Sequence, residues 1–289
     1  MRSEQELLDL ILTTAKIDER IRAVILSGSR TNPTIPGDIF QDFDILYIVT
    51  DIVPFIDNQK WIQRFGELII VQMPDAMYDP PPADDGSFAY LMLFTDGNRI
   101  DLKLFPLTKL DTLKLDSLSV LLLDKDDRFS PLPPPSDSDY LLSVPTAQGF
   151  SDCCNEFWWV CPGVAKGLWR EELPYVKHIF ERFVREQLMK MLTWYVGSKT
   201  EFSRSLGKFG KYLQQCLEPA LWEMFEQTFA DTSYEHMWEA LFTTCVLFRI
   251  TATAVAEQCS FAYPYGDDEK VSAYLRQVRR LPKAAKELE

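Results

Sequence analysis

The sequence predicts an α+β domain followed by an all-helical one. Three observations carry this. β-like runs are confined to the chain before Leu123. A stretch rich in proline, serine and aspartate follows from Ser130 to Pro145, with Pro131, Pro133, Pro134 and Pro135 inside it, a composition suited to a linker. Beyond it, apolar residues recur at helical spacing with few β-like runs.

Taken in order, Glu4 to Ile17 repeats Leu7, Leu8, Ile11, Leu12 and Ala15 at the spacing of one helix face. Ala23-Val24-Ile25-Leu26 reads as a buried strand, left through a Gly28-Ser29 turn and a polar loop holding Pro33 and Pro36. Asp42 to Val49 reads as a second strand, Asn58 to Phe65 as a short helix and Glu67 to Val71 as a strand. Met73 to Ser87 holds four prolines, four aspartates and a glycine, and is expected to be a loop that could order over a ligand. Tyr90–Phe94 and Arg99–Phe105 flank Thr95-Asp96-Gly97-Asn98, an antiparallel hairpin signal. Val120 to Leu123 adds a further short strand. Helical periodicity then covers 147–161, 175–197, 203–215, 218–229, 233–262 and 268–281, with a break expected at Pro162-Gly163.

Of the 289 residues, 46% are hydrophobic, enough for a sizeable core. Uninterrupted apolar runs such as Val120–Leu123 are far too short to span a bilayer, and Met1–Glu6 holds no apolar signal core, so the chain is expected to be cytoplasmic, away from membranes and monomeric. The formal charge is −13; residues 1–145 carry 24 acidic and 13 basic side chains, so most of the excess lies in the first half. Such a surface repels nucleic acid and attracts cationic small molecules. The six cysteines form no C-x-x-C pair, and His178 and His236 are the only histidines, which argues against zinc and for reduced, buried thiols.

The chemistry is expected where Gly28-Ser29 is followed, after twelve residues, by Asp42-Phe43-Asp44. Side chains alternate along a strand, so Asp42 and Asp44 share one face. Two neighbouring carboxylates repel unless a cation sits between them, and hard oxygen ligands suit Mg²⁺ arriving with a nucleotide triphosphate. The Gly-Ser turn can bring backbone N–H groups and a hydroxyl to phosphate oxygens. Asp101, sharing a face with Lys103 inside an apolar alternation, is the third carboxylate, either a metal ligand or a general base. The alternative is an ordinary strand charge paired with Arg99 or Lys103. Together these residues predict nucleotidyl transfer.

Gly28-Ser29-Arg30 with Asp42-Phe43-Asp44 resembles the signature of the polymerase-beta-type nucleotidyltransferases. More closely, the chain resembles the aminoglycoside 6-adenylyltransferases, or streptomycin adenylyltransferases. The matching stretches are Leu26–Asn32, Phe40–Asp44, Tyr90–Phe94, Ile100–Leu102, Asp152–Trp158, Lys166–Leu168, Trp238–Phe242 and Ala262–Pro264. The resemblance spans nearly the whole chain, although the end at Glu289 is earlier than it implies. It implies a nucleotidyltransferase catalytic domain over 1–135, a mixed β-sheet with flanking helices, and a helical substrate-binding domain over 136–289. It also implies transfer of AMP from ATP to the 6-hydroxyl of the streptidine ring of streptomycin, with release of pyrophosphate. Gly28 and Ser29 would hold the triphosphate, Asp42, Asp44 and Asp101 would bind Mg²⁺, and Asp101 would serve as base. Arg30 could add a phosphate contact or form a surface salt bridge.

In the helical half, Asp152 and Glu156 are four apart and share a helix face, where like charges invite an external cation such as a guanidinium. The alternative is a solvated acidic face. Trp158 or Trp159 could stack on that cation or belong to the core. Lys166 could reach the β- and γ-phosphates or simply face solvent. A nucleotidyltransferase with another small-molecule or protein acceptor, and a non-catalytic nucleotide-binding sensor or antitoxin, are the competing functions.

Overall fold

The computed structural model describes residues 1–79 and 85–287. Contacts divide the chain into two compact units, Met1–Asp139 and Tyr140–Glu289, and the division falls inside the proline-rich stretch.

The first unit is a six-stranded mixed sheet with helices. Helix α1 (Glu4–Ile17) begins at a reciprocal cap in which the Ser3 hydroxyl accepts from the Glu6 amide and the Glu6 carboxylate accepts from the Ser3 amide. The strands are β1 (Ile21–Ser27), β2 (Phe43–Val49), β3 (Leu68–Gln72), β4 (Phe88–Phe94), β5 (Arg99–Pro106) and β6 (Val120–Asp124), in the order β3-β4-β5-β2-β1-β6. Among the described residues only β2 and β5 run parallel; every other neighbouring pair is antiparallel. The Asn58–Phe65 segment is a 3₁₀ helix over Gln59–Phe65, preceded by a short α2 (Val53–Asp57) that the sequence did not signal. The loop expected over Met73–Ser87 lies partly outside the described residues.

Strand alternation sorts the sheet into two faces. Val24, Leu26, Phe43, Ile45, Tyr47, Ile100, Leu102 and Leu104 are buried on the face carrying Leu7, Ile11 and Ala15 of α1. The Tyr47 hydroxyl crosses to donate to the Ile11 carbonyl, at 2.7 Å. The opposite face buries a smaller set, Ala23, Ile25, Leu46, Ile48 and Phe105, under Leu107, Leu110, Leu113 and Leu115. By the same alternation, Ser27, Asp44 and Asp101 belong to this thinly covered face. Register then aligns them: Ser27 opposes Asp44, and Asp44 opposes Asp101.

The second unit is helical: α3 (Ala147–Arg170), α4 (Leu173–Ile179), α5 (Arg185–Lys199), α6 (Leu213–Cys216), α7 (Pro219–Glu226), α8 (Tyr234–Cys259) and α9 (Tyr265–Arg280), with a π turn at Phe180–Val184 joining α4 to α5. Its core stacks Phe157 of α3 on Phe248 of α8 with centroids 3.7 Å apart. Among the described residues α8 is the one helix long and apolar enough to cross a membrane; Met237, Leu241, Leu247, Phe248 and Val255 along it are buried in this core.

Two expectations are corrected here. The break at Pro162-Gly163 does not occur, and α3 runs on to Arg170 with Pro162 inside it. A mid-helix proline costs about 3 kcal/mol. Cys161, Val164, Ala165 and Leu168 are all buried around it, and burial at about 1.5–3 kcal/mol per large apolar side chain outweighs that cost. Conversely, 203–215 is not a helix: Gly207, Phe209 and Gly210 all adopt positive φ, leaving a 3₁₀ turn at Lys208–Gly210 and the single turn α6. The cysteines are all free, and Cys153, Cys154, Cys161 and Cys245 are buried.

Candidate active site

Gly28 opens a 3₁₀ turn, Gly28–Thr31, directly after β1. Its φ is +76°, and a Cβ built there would lie 2.2 Å from Oδ2 of Asp44. Two constraints therefore select glycine: the left-handed backbone and the carboxylate pressed against it. The sequence expectation gave Gly28 to phosphate; the structure adds that its missing side chain makes room for Asp44. The turn is braced by the Thr31 hydroxyl, 2.9 Å from the Gly28 carbonyl and 2.6 Å from that of Leu118. Ser29 sits half-buried in the turn, its carbonyl accepting from the Gln41 side chain at 3.3 Å.

The Arg30 guanidinium donates to the carbonyls of Asp42 (3.0 Å) and Gln41 (2.7 Å), pairs with Glu4 at 3.3 Å and lies 3.7 Å over the Phe43 ring. Its side chain is only 9% exposed. Arg30 thus fastens the loop before β2 onto the Gly-Ser turn, and its pair with Glu4 is the salt bridge that the sequence offered beside a phosphate contact.

The carboxylates meet a cation of the protein's own. Both oxygens of Asp101 accept from Arg99, Nε and Nη2 each at 2.7 Å, and the Arg99 Nε lies 3.7 Å from Oδ2 of Asp42. The hydrogen-bonded Asp101, helped by the charges of Asp42 and Asp44, holds the Arg99 guanidinium above its ordinary range. Burial pushes the Asp42 carboxyl up, and Arg99 opposes that rise. The pairing that the sequence offered as an alternative for Asp101 is therefore present. Among the described residues no three acidic, histidine or cysteine side chains stand together as a ready ligand set. The donor chemistry still suits a hard divalent cation: the carboxylates of Asp101 and Asp42 flank one positive group, and Asp44 lies opposite Asp101 in register.

Asp44 and Asp101 open into a pocket of about 370 Å³, also lined by Ser27, Lys103, Lys114 and Asp116. Ser27 Oγ lies 3.3 Å from that of Ser119, whose hydroxyl donates to Asp116 at 3.0 Å. Lys103 pairs with Asp85 at 2.9 Å. Of these additional residues Arg99 and Lys103 had left a signal in the sequence, since each lies two positions from Asp101 and so shares its strand face. Asp116 and Lys114 come from a loop whose return to the pocket has no local signature.

In the helical unit, Asp152 is exposed and accepts from Gln148 at 2.7 Å; Glu156 is partly exposed one turn on. Trp158 is a correction. It is 1% exposed, with its ring edge-to-face against Phe157 and Phe248, so neither indole face can receive a ligand. Trp159 is the exposed tryptophan, at 77%. The signal was available: Trp158 follows Cys154 by four and falls on the buried stripe, whereas Trp159 follows Glu156 by three and Asp152 by seven. Lys166, on the uninterrupted α3, lines a pocket of about 260 Å³ in the helical unit with Trp169, Arg170, Tyr274 and Lys286.

A family model described as streptomycin adenylyltransferase matches residues 1–278. An aminoglycoside 6-adenylyltransferase of Campylobacter jejuni is 46% identical over 97% of this chain and 97% of its own length. One of Bacillus subtilis (strain 168) is 42% identical over 96% of this chain and 98% of its own. A crystal structure of an aminoglycoside 6-adenyltransferase from Bacillus subtilis covers 97% of this chain and 100% of its own at 37% identity, with a TM-score of 0.48. A match from residue 1 to residue 278, with relatives this similar over almost their whole length, places the chain in the streptomycin adenylyltransferase family of nucleotidyltransferases.

Proposed function

We propose that this enzyme transfers AMP from ATP to a hydroxyl of an aminoglycoside, with streptomycin, at position 6 of its streptidine ring, as the acceptor. The observation that carries the reading is the row Ser27–Asp44–Asp101 across three adjacent strands, opening into a pocket beside a turn where only glycine fits. In the proposed reaction the acceptor oxygen attacks the α-phosphorus, the bond to the β-phosphate oxygen breaks, and pyrophosphate leaves. Asp101 takes the proton of the acceptor hydroxyl. The Gly28-Ser29 turn presents backbone N–H and hydroxyl donors to the triphosphate. Asp42, Asp44 and Asp101 would hold Mg²⁺, and the chemistry Mg²⁺ supplies when bound is neutralisation of charge on the phosphates. Arg30 keeps Asp42 in register with the turn.

Asp152 and Glu156 offer carboxylates to the guanidinium groups of the acceptor, a role supported by their exposure on one helix face and by the net charge of −13. Lys166 is the proposed triphosphate contact from the helical unit, supported by the basic and aromatic company it keeps. AMP attached to the drug adds bulk and negative charge, and resistance is the expected consequence.

The test is pyrophosphate release from ATP and Mg²⁺ with and without streptomycin, followed by mass spectrometry of the drug. A mass gain of one AMP, lost in folded Asp44→Asn, is the expected result. Release with another acceptor only would move the assignment to that acceptor. ATP binding without turnover on any acceptor would favour the sensor reading.

A further inference from the structure

We infer that Arg99 is the resident counter-cation of the carboxylate cluster, and that a divalent metal and Arg99 compete for Asp101. The inference rests on the metal-binding reading of Asp42, Asp44 and Asp101 proposed above. Arg99 is the first residue of β5 and lies on the same strand face as Asp101. Its planar fork engages both oxygens of that carboxylate at 2.7 Å, and its Nε is 3.7 Å from Asp42. Asp44 lies one strand away, directly opposite Asp101 in register. A guanidinium in this position answers the mutual repulsion of the acids in the same way a metal would.

The two cations are not compatible at full strength. A divalent ion drawing on Asp101 would face the Arg99 charge within a few ångströms, and that repulsion is resolved by Arg99 releasing the carboxylate. Arg99 has room to do so: its side chain is 43% exposed. Once released, a fork that binds carboxylate bidentately is equally suited to a phosphate. Free metal therefore meets a competitor, whereas metal arriving with a triphosphate brings the anion that takes over Arg99. In this scheme Arg99 acts through Asp101 before nucleotide binds and contacts the triphosphate afterwards.

The decisive experiment measures Mn²⁺ binding without nucleotide, by electron paramagnetic resonance of the free ion. It compares the wild type with Arg99→Gln, Arg99→Lys and the double variant Arg99→Gln/Asp44→Asn. Arg99→Gln is expected to bind Mn²⁺ about three- to tenfold more tightly, the range set by removing a charge-assisted but partly exposed pair. Arg99→Lys, charged but unable to span both oxygens, falls between the two. Thermal unfolding provides a second readout: Mn²⁺ raises the Tm of Arg99→Gln more than that of the wild type. If Arg99→Gln binds Mn²⁺ no more tightly than the wild type while the double variant binds more weakly than either, the competition is refuted and the metal site stands. If the double variant binds as tightly as Arg99→Gln, or if no variant binds Mn²⁺, the metal reading itself fails and the inference with it.

Discussion

Replacing Gly28 by alanine separates the two roles the structure gives this residue. The new Cβ would sit 2.2 Å from Oδ2 of Asp44. Carbon–oxygen contacts below about 3 Å are not tolerated, so the carboxylate or the turn must move by roughly 1 Å, and a displacement of that size in a phosphoryl-transfer site costs about 10²-fold in turnover. The left-handed backbone at +76° adds about 1–2 kcal/mol of instability for any side chain. That instability corresponds to a fall in Tm of about 3–6 °C for a domain of this size. Gly97, in the β4–β5 turn at φ +85°, supplies the control. Its Cβ would meet only the flexible end of Met1 at 3.1 Å. Gly97→Ala should therefore lose similar stability and keep its turnover. Pyrophosphate release and thermal unfolding on both variants are the assays. Wild-type turnover in Gly28→Ala, or an equal loss in Gly97→Ala, would refute the argument that Gly28 is selected by Asp44.

Other perturbations follow from the same geometry. Arg30→Ala removes two guanidinium–carbonyl bonds and the contact over Phe43, and should lower stability by about 2–3 kcal/mol; a raised KM for ATP at unchanged Tm would instead return Arg30 to the phosphate. Trp158→Ala should cost about 3–5 kcal/mol by leaving a core cavity. Trp159→Ala should change stability by less than about 0.5 kcal/mol and raise the acceptor KM severalfold, measured by urea unfolding and steady-state kinetics. Asp268, 3% exposed, accepts from Arg249, Tyr263 (2.8 Å) and Ser272 (3.0 Å). Burial alone would raise its carboxyl, but those hydrogen bonds outweigh it and hold the group below its ordinary value. Its folded value being depressed, its contribution is complete above the ordinary carboxylate range and disappears as pH falls through the folded value. Asp268→Asn should thus lose about 2–3 kcal/mol at pH 7. The gap to the wild type should narrow progressively as pH falls below the ordinary carboxylate range, read by thermal melts across pH; a gap that does not narrow at all there would contradict the assignment.

How much of this protein is legible in its sequence depends on the range of the interaction involved. Signals that repeat within one element were sufficient. The spacing of Leu7, Ile11 and Ala15 gave α1 its observed bounds, and Asp-Gly between two alternating runs gave the β4–β5 hairpin. Alternation also put Asp42 with Asp44, and Asp101 with Lys103, because side chains on a strand have no other choice; the pairing of β2 with β5 then brought Asp44 and Asp101 to one sheet face. Where a residue could be satisfied in two ways, only the fold decided. For Arg30 the sequence offered a phosphate contact or a salt bridge; the pair with Glu4 and the bonds to the 41–42 carbonyls came from the approach of distant segments. Asp101 met Arg99, a pairing the sequence offered without selecting it. Pro162 has a strong local reason to end a helix, and the buried residues on either side of it overrode that reason. The 203–215 segment has helical spacing but takes positive φ at three residues, a choice made by its surroundings. Strand and helix period are properties of neighbouring residues and survive without the rest of the chain. Which donor meets which acceptor across 87 or more positions, as Thr31 meets Leu118, is fixed only when distant segments pack.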